Sequence, residues 1–196
     1  MARVLYLDAG GMPLRWISLE AAACLYAREQ VLWELGSPPQ SLHGGYNRSG
    51  LRSSLDIAPV IAGCRVSRNP VRVPSLTNAK LFARDQYLCL YCGEQFPRSA
   101  LTRDHIVPVS RGGLDTWKNT CAACRRCNQA KGAQTPEEAG MSLLAVPFVP
   151  NRFEAVLLQA HTILADQMAY LKAGLSRNRD WDGKPNIWQI PVLRMN

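Results

Sequence analysis

Short apolar runs punctuated by Gly and Pro alternate with stretches of helical period along the chain. Val4-Leu5-Tyr6-Leu7 is an apolar run closed by Asp8-Ala9-Gly10-Gly11-Met12-Pro13, which predicts a strand and a turn. Ser18 precedes an apolar-rich stretch reaching about Arg28, the pattern of a capped helix, and Val31 to Leu35 predicts the next strand. Gly36 to Gly50, rich in Gly, Pro and Ser, reads as a loop. Val60-Ile61 and Val71-Arg72-Val73 predict short strands around a turn, so the region 1–76 reads as a small α/β unit. Thr77 or Asn78 then caps a short helix through Arg84. Leu101 to Val107 predicts a strand stopped by Pro108, Arg111-Gly112-Gly113 a turn, and Thr120 to Ala130 a helix. Thr135-Pro136-Glu137-Glu138 has Pro at the first helical position and acids in the first turn, predicting a helix to about Leu144. After the break at Val146 to Pro150, Phe153 to Ala173 predicts one long amphipathic helix, followed by a tail carrying Trp181 and Trp188. The expected class is α+β, with regions 1–76, 77–140 and 141–196.

Composition narrows the partners. With 47% apolar residues among 196, the chain can build a core. Its net charge is +8, carried by 18 Arg and 5 Lys, and the Arg fork matches phosphate oxygens, so a polyanion is the expected partner. The charge is densest between Thr77 and Gln134, where nine basic and four acidic side chains leave a surplus of five. The first eight residues lack a signal-peptide pattern and no apolar run approaches the roughly 18 residues of a membrane span, which favours a reducing cytoplasm. There, clustered cysteine more often binds metal than forms disulfides.

The 40 residues from Cys89 to Asn128 carry the chemistry. Cys89-Leu90-Tyr91-Cys92 and Cys124-Arg125-Arg126-Cys127 are C-x-x-C pairs about thirty residues apart, the spacing of a closed tetrahedral zinc site. Cys121 and Cys124 make a rival pair of the same form. Between and beside the thiols stand Asp104, His105, Asn119 and Asn128, residue types that activate water and hold a hard cation against phosphate. On a strand, Asp104 and His105 point to opposite faces. A strand, loop and helix clamped by zinc would make a compact ββα hairpin.

In these residues the chain resembles the HNH endonucleases: C-x-x-C, D-H-I-V-P, G-G, W-x-N, then C-x-x-C-N with Lys131 three further on, over about Leu81 to Ala139. The resemblance implies a ββα-metal core on a zinc-bound treble-clef frame. It favours Cys124 with Cys127 as the second zinc pair, leaving Cys121 a small core residue. It implies His105 as general base, Asp104 and Asn128 as holders of one Mg²⁺ or Mn²⁺, and Asn119 as the residue that orients His105 through the loop. Asn128 stands where many members have His, a variant also found in the HNH domain of RNA-guided CRISPR nucleases, and an amide oxygen suits Mg²⁺ better than imidazole does. Arg103, Arg111, Lys118, Arg125, Arg126 and Lys131 are the candidate nucleic-acid contacts, setting affinity rather than sequence choice. The implied reaction is hydrolysis of a DNA phosphodiester, one strand per site, so that a double-strand cut needs a homodimer or two encounters.

Blander readings stand beside these. Four cysteines in this register explain stability without catalysis, so the alternative is a treble-clef nucleic-acid-binding protein that cuts nothing. Cys24 and Cys64 have apolar neighbours and read as buried thiols, His43 as solvated, His161 as a surface residue, and the two tail tryptophans as packing. The pattern V-L-x-L-x-A-x-x-x-P-L-x-x-I-S of the first region resembles, more weakly, the leader before the nuclease in many small bacterial HNH proteins. Two jobs fit it, DNA positioning or dimerisation.

Overall fold

A computed structural model describes residues 3–37, 40–64, 73–159 and 163–175. Two compact units emerge, one from Met1–Arg72 with Arg152–Leu175, the other containing Val73–Asn151.

In the first unit, β1 (Val4–Leu7) pairs antiparallel with β2 (Pro13–Ile17) through a turn in which the Asp8 carboxylate accepts from the Gly10 and Met12 amides. The helix α1 (Leu19–Ala27) is capped by Ser18, whose hydroxyl accepts from the Ala21 amide. The strand β3 (Val31–Leu35) follows as expected. The stretch read as a loop is instead half of a hairpin, β4 (Gln40–Tyr46) paired antiparallel with β5 (Arg52–Ile57). Its connection explains why: the Asn47 side chain accepts from the Ser49 and Leu51 amides, both at 2.9 Å, and Gly50 takes φ +74°. The hairpin's residues are mostly exposed, so no apolar face announces the strands. A fully buried β6 (Val60–Gly63) lies between β1, to which it is parallel, and β3, giving the sheet order β2-β1-β6-β3. Val4, Ile17, Ala22, Ile57, Ala58 and Ile61 form the core beneath α1. Cys24 and Cys64, read as buried, are exposed, because their apolar sequence neighbours turn inward without them.

The predicted long helix is two shorter ones, separated by a turn at Leu158-Gln159, and both pack within this first unit. Ahead of the turn, α4 (Arg152–Leu157) packs against β2, with the Trp16 indole donating to the Val156 carbonyl at 2.9 Å. Beyond it, α5 (Ala165–Ala173) is set by the buried Gln167, whose amide donates to the Arg3 and Pro59 carbonyls and whose oxygen accepts from the Leu164 amide. A tertiary anchor thus restarts the helix at a point the apolar period does not mark. His161, Val71-Arg72, Trp181 and Trp188 lie outside the described residues.

The second unit opens with α2 (Asn78–Arg84), capped by the Thr77 hydroxyl. Its last residue, Arg84, is fully buried and donates to Asp85 and to the Trp117 and Thr120 carbonyls, while Asp85 accepts from the Ala122 amide at 2.7 Å. That pair bolts α2 to an antiparallel ladder of β7 (Leu101–His105) and β8 (Thr120–Cys124), in which Asp104 faces Cys121 and His105 faces Thr120. The segment Thr120–Cys124 was expected to be helical; pairing with β7 overrides its alanine content, and the helix α3 (Arg125–Lys131) begins only after Cys124. The predicted helix after Thr135 stops after one turn: Thr135 and Glu138 cap each other, but Gly140 at φ +64° leaves the helical course.

Candidate functional site

Two loops bring the four thiols together. The chain reverses between Cys89 and Gly93, where the Gly93 amide donates to the Cys89 carbonyl and Gly93 takes φ +76°. On the other side Cys124 ends β8 and serves as N-cap of α3, its sulfur accepting from the Cys127 amide at 3.4 Å. The sulfurs of Cys89, Cys92, Cys124 and Cys127 all lie within 4.8 Å of one another, without a disulfide. Zinc–sulfur bonds of about 2.3 Å imply sulfur separations of about 3.8 Å, so a modest contraction completes a tetrahedron. Burial works against the Cys89 thiolate, but the Cys92, Cys124 and Tyr91 amides aimed at its sulfur outweigh it and lower its pKa. Cys127 is driven upward by burial and by the Cys124 and Cys89 sulfurs. Four thiol sulfurs gathered at one point are a donor set compatible with zinc. Cys121 is not in the group; it is buried beside Asp104, as expected of a small core residue.

About one strand away, Arg103, Asp104, His105, Asn128 and the turn from Pro108 to Ser110 line an open cleft of about 300 Å³. Alternation along β7 separates the two motif residues. Asp104 is 5% exposed, its Oδ2 accepting from the Tyr91 hydroxyl at 2.5 Å and its Oδ1 from the Lys131 ammonium at 3.1 Å. His105 is 25% exposed, and its Nε2 meets Asp115 Oδ1 at 3.0 Å. Arg103 donates to both oxygens of Asp115, and that guanidinium holds the Asp115 carboxyl below the usual carboxylate range, with His105 adding to the effect. An ionised carboxylate only accepts, so Nε2 is the donor in this contact, and in a neutral imidazole Nδ1 is the nitrogen that keeps a lone pair.

The two amides serve different parts of the cleft. Asn119 donates to the Val107 and Leu114 carbonyls and accepts from the Val107 amide, pinning the loop that follows His105. Its effect on the imidazole is therefore transmitted through the main chain. Asn128 donates to the Thr102 hydroxyl at 2.9 Å, and that hydroxyl donates to the Ala123 carbonyl, so it can only accept from the amide nitrogen. The Asn128 oxygen is then the atom this cleft-lining residue could offer to a cation. A carboxylate and an amide oxygen fit a hard divalent ion such as Mg²⁺ or Mn²⁺.

The basic candidates divide. Lys118, Arg125 and Arg126 are exposed, and Arg111 is exposed but paired with Glu138. Arg103 faces Asp115 and Asn78 instead of open solvent. Lys131 departs from the expected surface contact: it is 1% exposed, and its ammonium is spent on Asp104 and the His105 carbonyl at 2.7 Å. A buried carboxylate needs a compensating cation, which explains why this lysine lies inside. Sequence reasoning missed Asp115, Thr102 and the hydroxyl of Tyr91. Tyr91 alone had a visible signal, its seat inside the first C-x-x-C.

Residues 89–144 match the family model of the HNH endonucleases. The chain is also similar to the CRISPR-associated endonuclease Cas9 of Corynebacterium diphtheriae, 44% identical over 118 residues. That stretch covers 60% of this chain and 11% of the length of that protein.

Proposed function

From the premise that residues 89–144 belong to the HNH endonuclease family, we propose that this protein hydrolyses phosphodiester bonds of DNA, cutting one strand per site. The observation that carries the reading is the meeting of Asp104, His105 and Asn128 on a single cleft, with the His105 ring held by Asp115. His105 takes the proton of the attacking water on Nδ1, while Asp115 steadies the opposite ring nitrogen as charge develops on the imidazole. Asp104 and Asn128 hold one Mg²⁺ or Mn²⁺. When bound, that ion supplies charge stabilisation at the phosphate and the leaving 3′ oxygen. Asn119 keeps the loop after His105 from drifting, and Lys118, Arg125 and Arg126 contribute phosphate affinity. Cys89, Cys92, Cys124 and Cys127 hold a structural zinc. The expected products are a 5′-phosphate and a 3′-hydroxyl.

One observation favours a second reading, a zinc module that binds nucleic acid without cutting it: both oxygens of Asp104 already have donors, in Tyr91 and Lys131. Supercoiled-plasmid cleavage by zinc-replete protein in Mg²⁺, Mn²⁺ or EDTA separates the two. Metal-dependent nicking that disappears in His105→Ala, with DNA binding kept, supports the nuclease. Equal inactivity of both proteins, with DNA still shifted in a gel, supports the binding module.

A further inference from the structure

We propose that Tyr91, through the hydroxyl it donates to Asp104, is a positioning residue that couples the four-thiol knuckle to the affinity of the cleft for its divalent cation; this rests on the reading of Asp104 as a ligand of that cation. Tyr91 lies between Cys89 and Cys92, so the loop that aims two sulfurs also aims the phenol. The main chain of that loop is clamped on both sides. Leu90 donates its amide to the Ala122 carbonyl at 2.9 Å, and its own carbonyl accepts from the Leu144 amide at 2.9 Å. The main chain beside the ring is therefore held, and the hydroxyl reaches Asp104 Oδ2 at 2.5 Å.

Lys131 already supplies Asp104 with a compensating charge at Oδ1, so neutralising the carboxylate does not require the phenol. What the phenol adds is direction. With Oδ2 fixed from the knuckle and Oδ1 met from α3, the carboxylate plane is set by two elements of the zinc-bound frame, and a ligand held in one orientation binds a cation without first losing rotamer freedom. A phenol is a hydroxyl donor at neutral pH, and Asp104 Oδ2 is the acceptor it reaches. Linkage makes the coupling reciprocal: loss of zinc frees the Cys89–Cys92 loop, lets Tyr91 leave Oδ2 and weakens cation binding, and cation binding in turn makes zinc harder to remove.

The test uses Mn²⁺ alone, titrated into the full-length, zinc-loaded protein without DNA and followed by electron paramagnetic resonance. The wild type is expected to show a Mn²⁺ site that Asp104→Ala removes. If the wild type shows none, the reading of the cleft as a cation site fails, and the proposal fails with it. With the site present, Tyr91→Phe should retain one zinc per chain and its melting temperature while binding Mn²⁺ roughly 10- to 100-fold more weakly, the usual effect of removing an outer partner of a ligand. Saturating Mn²⁺ should restore its cleavage rate, and Tyr91→Phe should change nothing further in the Asp104→Ala background. Equal Mn²⁺ affinity in zinc-loaded Tyr91→Phe and wild type overturns the coupling while leaving the nuclease reading intact. If Tyr91→Phe loses zinc, 3-fluorotyrosine at position 91 keeps the ring and alters only the hydroxyl's donor strength; a displaced Mn²⁺ midpoint supports the proposal and an unchanged one overturns it.

Discussion

Asp115 and Asn128 have different proposed roles, one on the His105 ring and one at the cation, and should fail in different ways. Asp115 touches the imidazole and Arg103 but no candidate metal donor. Asp115→Ala should therefore leave the Mg²⁺ midpoint of cleavage unchanged and lower kcat by about 100-fold, the scale of a misplaced catalytic group. On the proposed coordination, Asn128→Ala removes an amide oxygen from the cation and should raise the Mg²⁺ requirement, with kcat recovering at saturation. A metal titration of both variants checks the division, and coincident midpoints for Asn128→Ala and wild type would remove Asn128 from the coordination shell. These roles were unevenly legible. Asp104, His105 and Asn128 stand out because few structural needs call for those types at that spacing around paired cysteines. Asp115 does not, since one acid in a turn-rich loop looks like any other until folding brings Arg103 and His105 to it. Lys131 misled for a related reason: a lysine's burial depends on whether a buried carboxylate waits for it, and that is a property of the assembled unit.

Among the elements, the loop after β7 depends on a single amide and a single glycine. Asn119 makes three bonds to the main chain at Val107 and Leu114, while a Cβ at Gly113 would lie 1.8 Å from the Val107 carbonyl oxygen and 2.9 Å from the Asn119 nitrogen. Asn119→Ala should cost about 0.5–1.5 kcal/mol by removing solvent-exposed bonds that hold the loop. Gly113→Ala should act in the same direction by forcing loop and amide apart. Denaturant unfolding of zinc-loaded protein measures both, and wild-type stability for Gly113→Ala would show that the close approach is not required. Elements signalled by local chemistry were legible: Ser18 and Thr77 cap where their helices begin. Elements decided by pairing were not. Thr120–Cys124 carries two alanines yet extends along β7, and the hairpin of β4 and β5 lacks an apolar face that would betray it. The start after Thr135 has the right cap, but Gly140 permits a turn out of the helical path after four residues.

Two dependences belong to the whole molecule, on zinc and on salt. The buried cluster around the knuckle consists of Cys89, Ala123, Cys124 and Cys127, so three of its four members are the thiols proposed to hold zinc. Chelation, or Cys92→Ala, should therefore abolish hydrogen-exchange protection at Ala122 and Ala123 instead of loosening a few side chains; retained protection would show that apolar packing alone holds the ladder. The +8 charge sets the response to salt, but only cations free of acidic partners release counterions in full. Arg111 is balanced by Glu138 and Arg103 by Asp115, whereas Lys118, Arg125 and Arg126 make no ion pair among the described residues. Arg125 and Arg126 also lie between Cys124 and Cys127, so a zinc held by those thiols would fix their main chain relative to β7. The double variant Arg125→Ala/Arg126→Ala should thus reduce the slope of log K against log salt for DNA binding by about 2, while Arg111→Ala changes it by less than about 1. Binding isotherms at several salt concentrations measure the slopes. Equal reductions in the two variants would mean that DNA pulls Arg111 from Glu138, and an unchanged slope in the double variant would move the phosphate contacts away from the N-terminal end of α3.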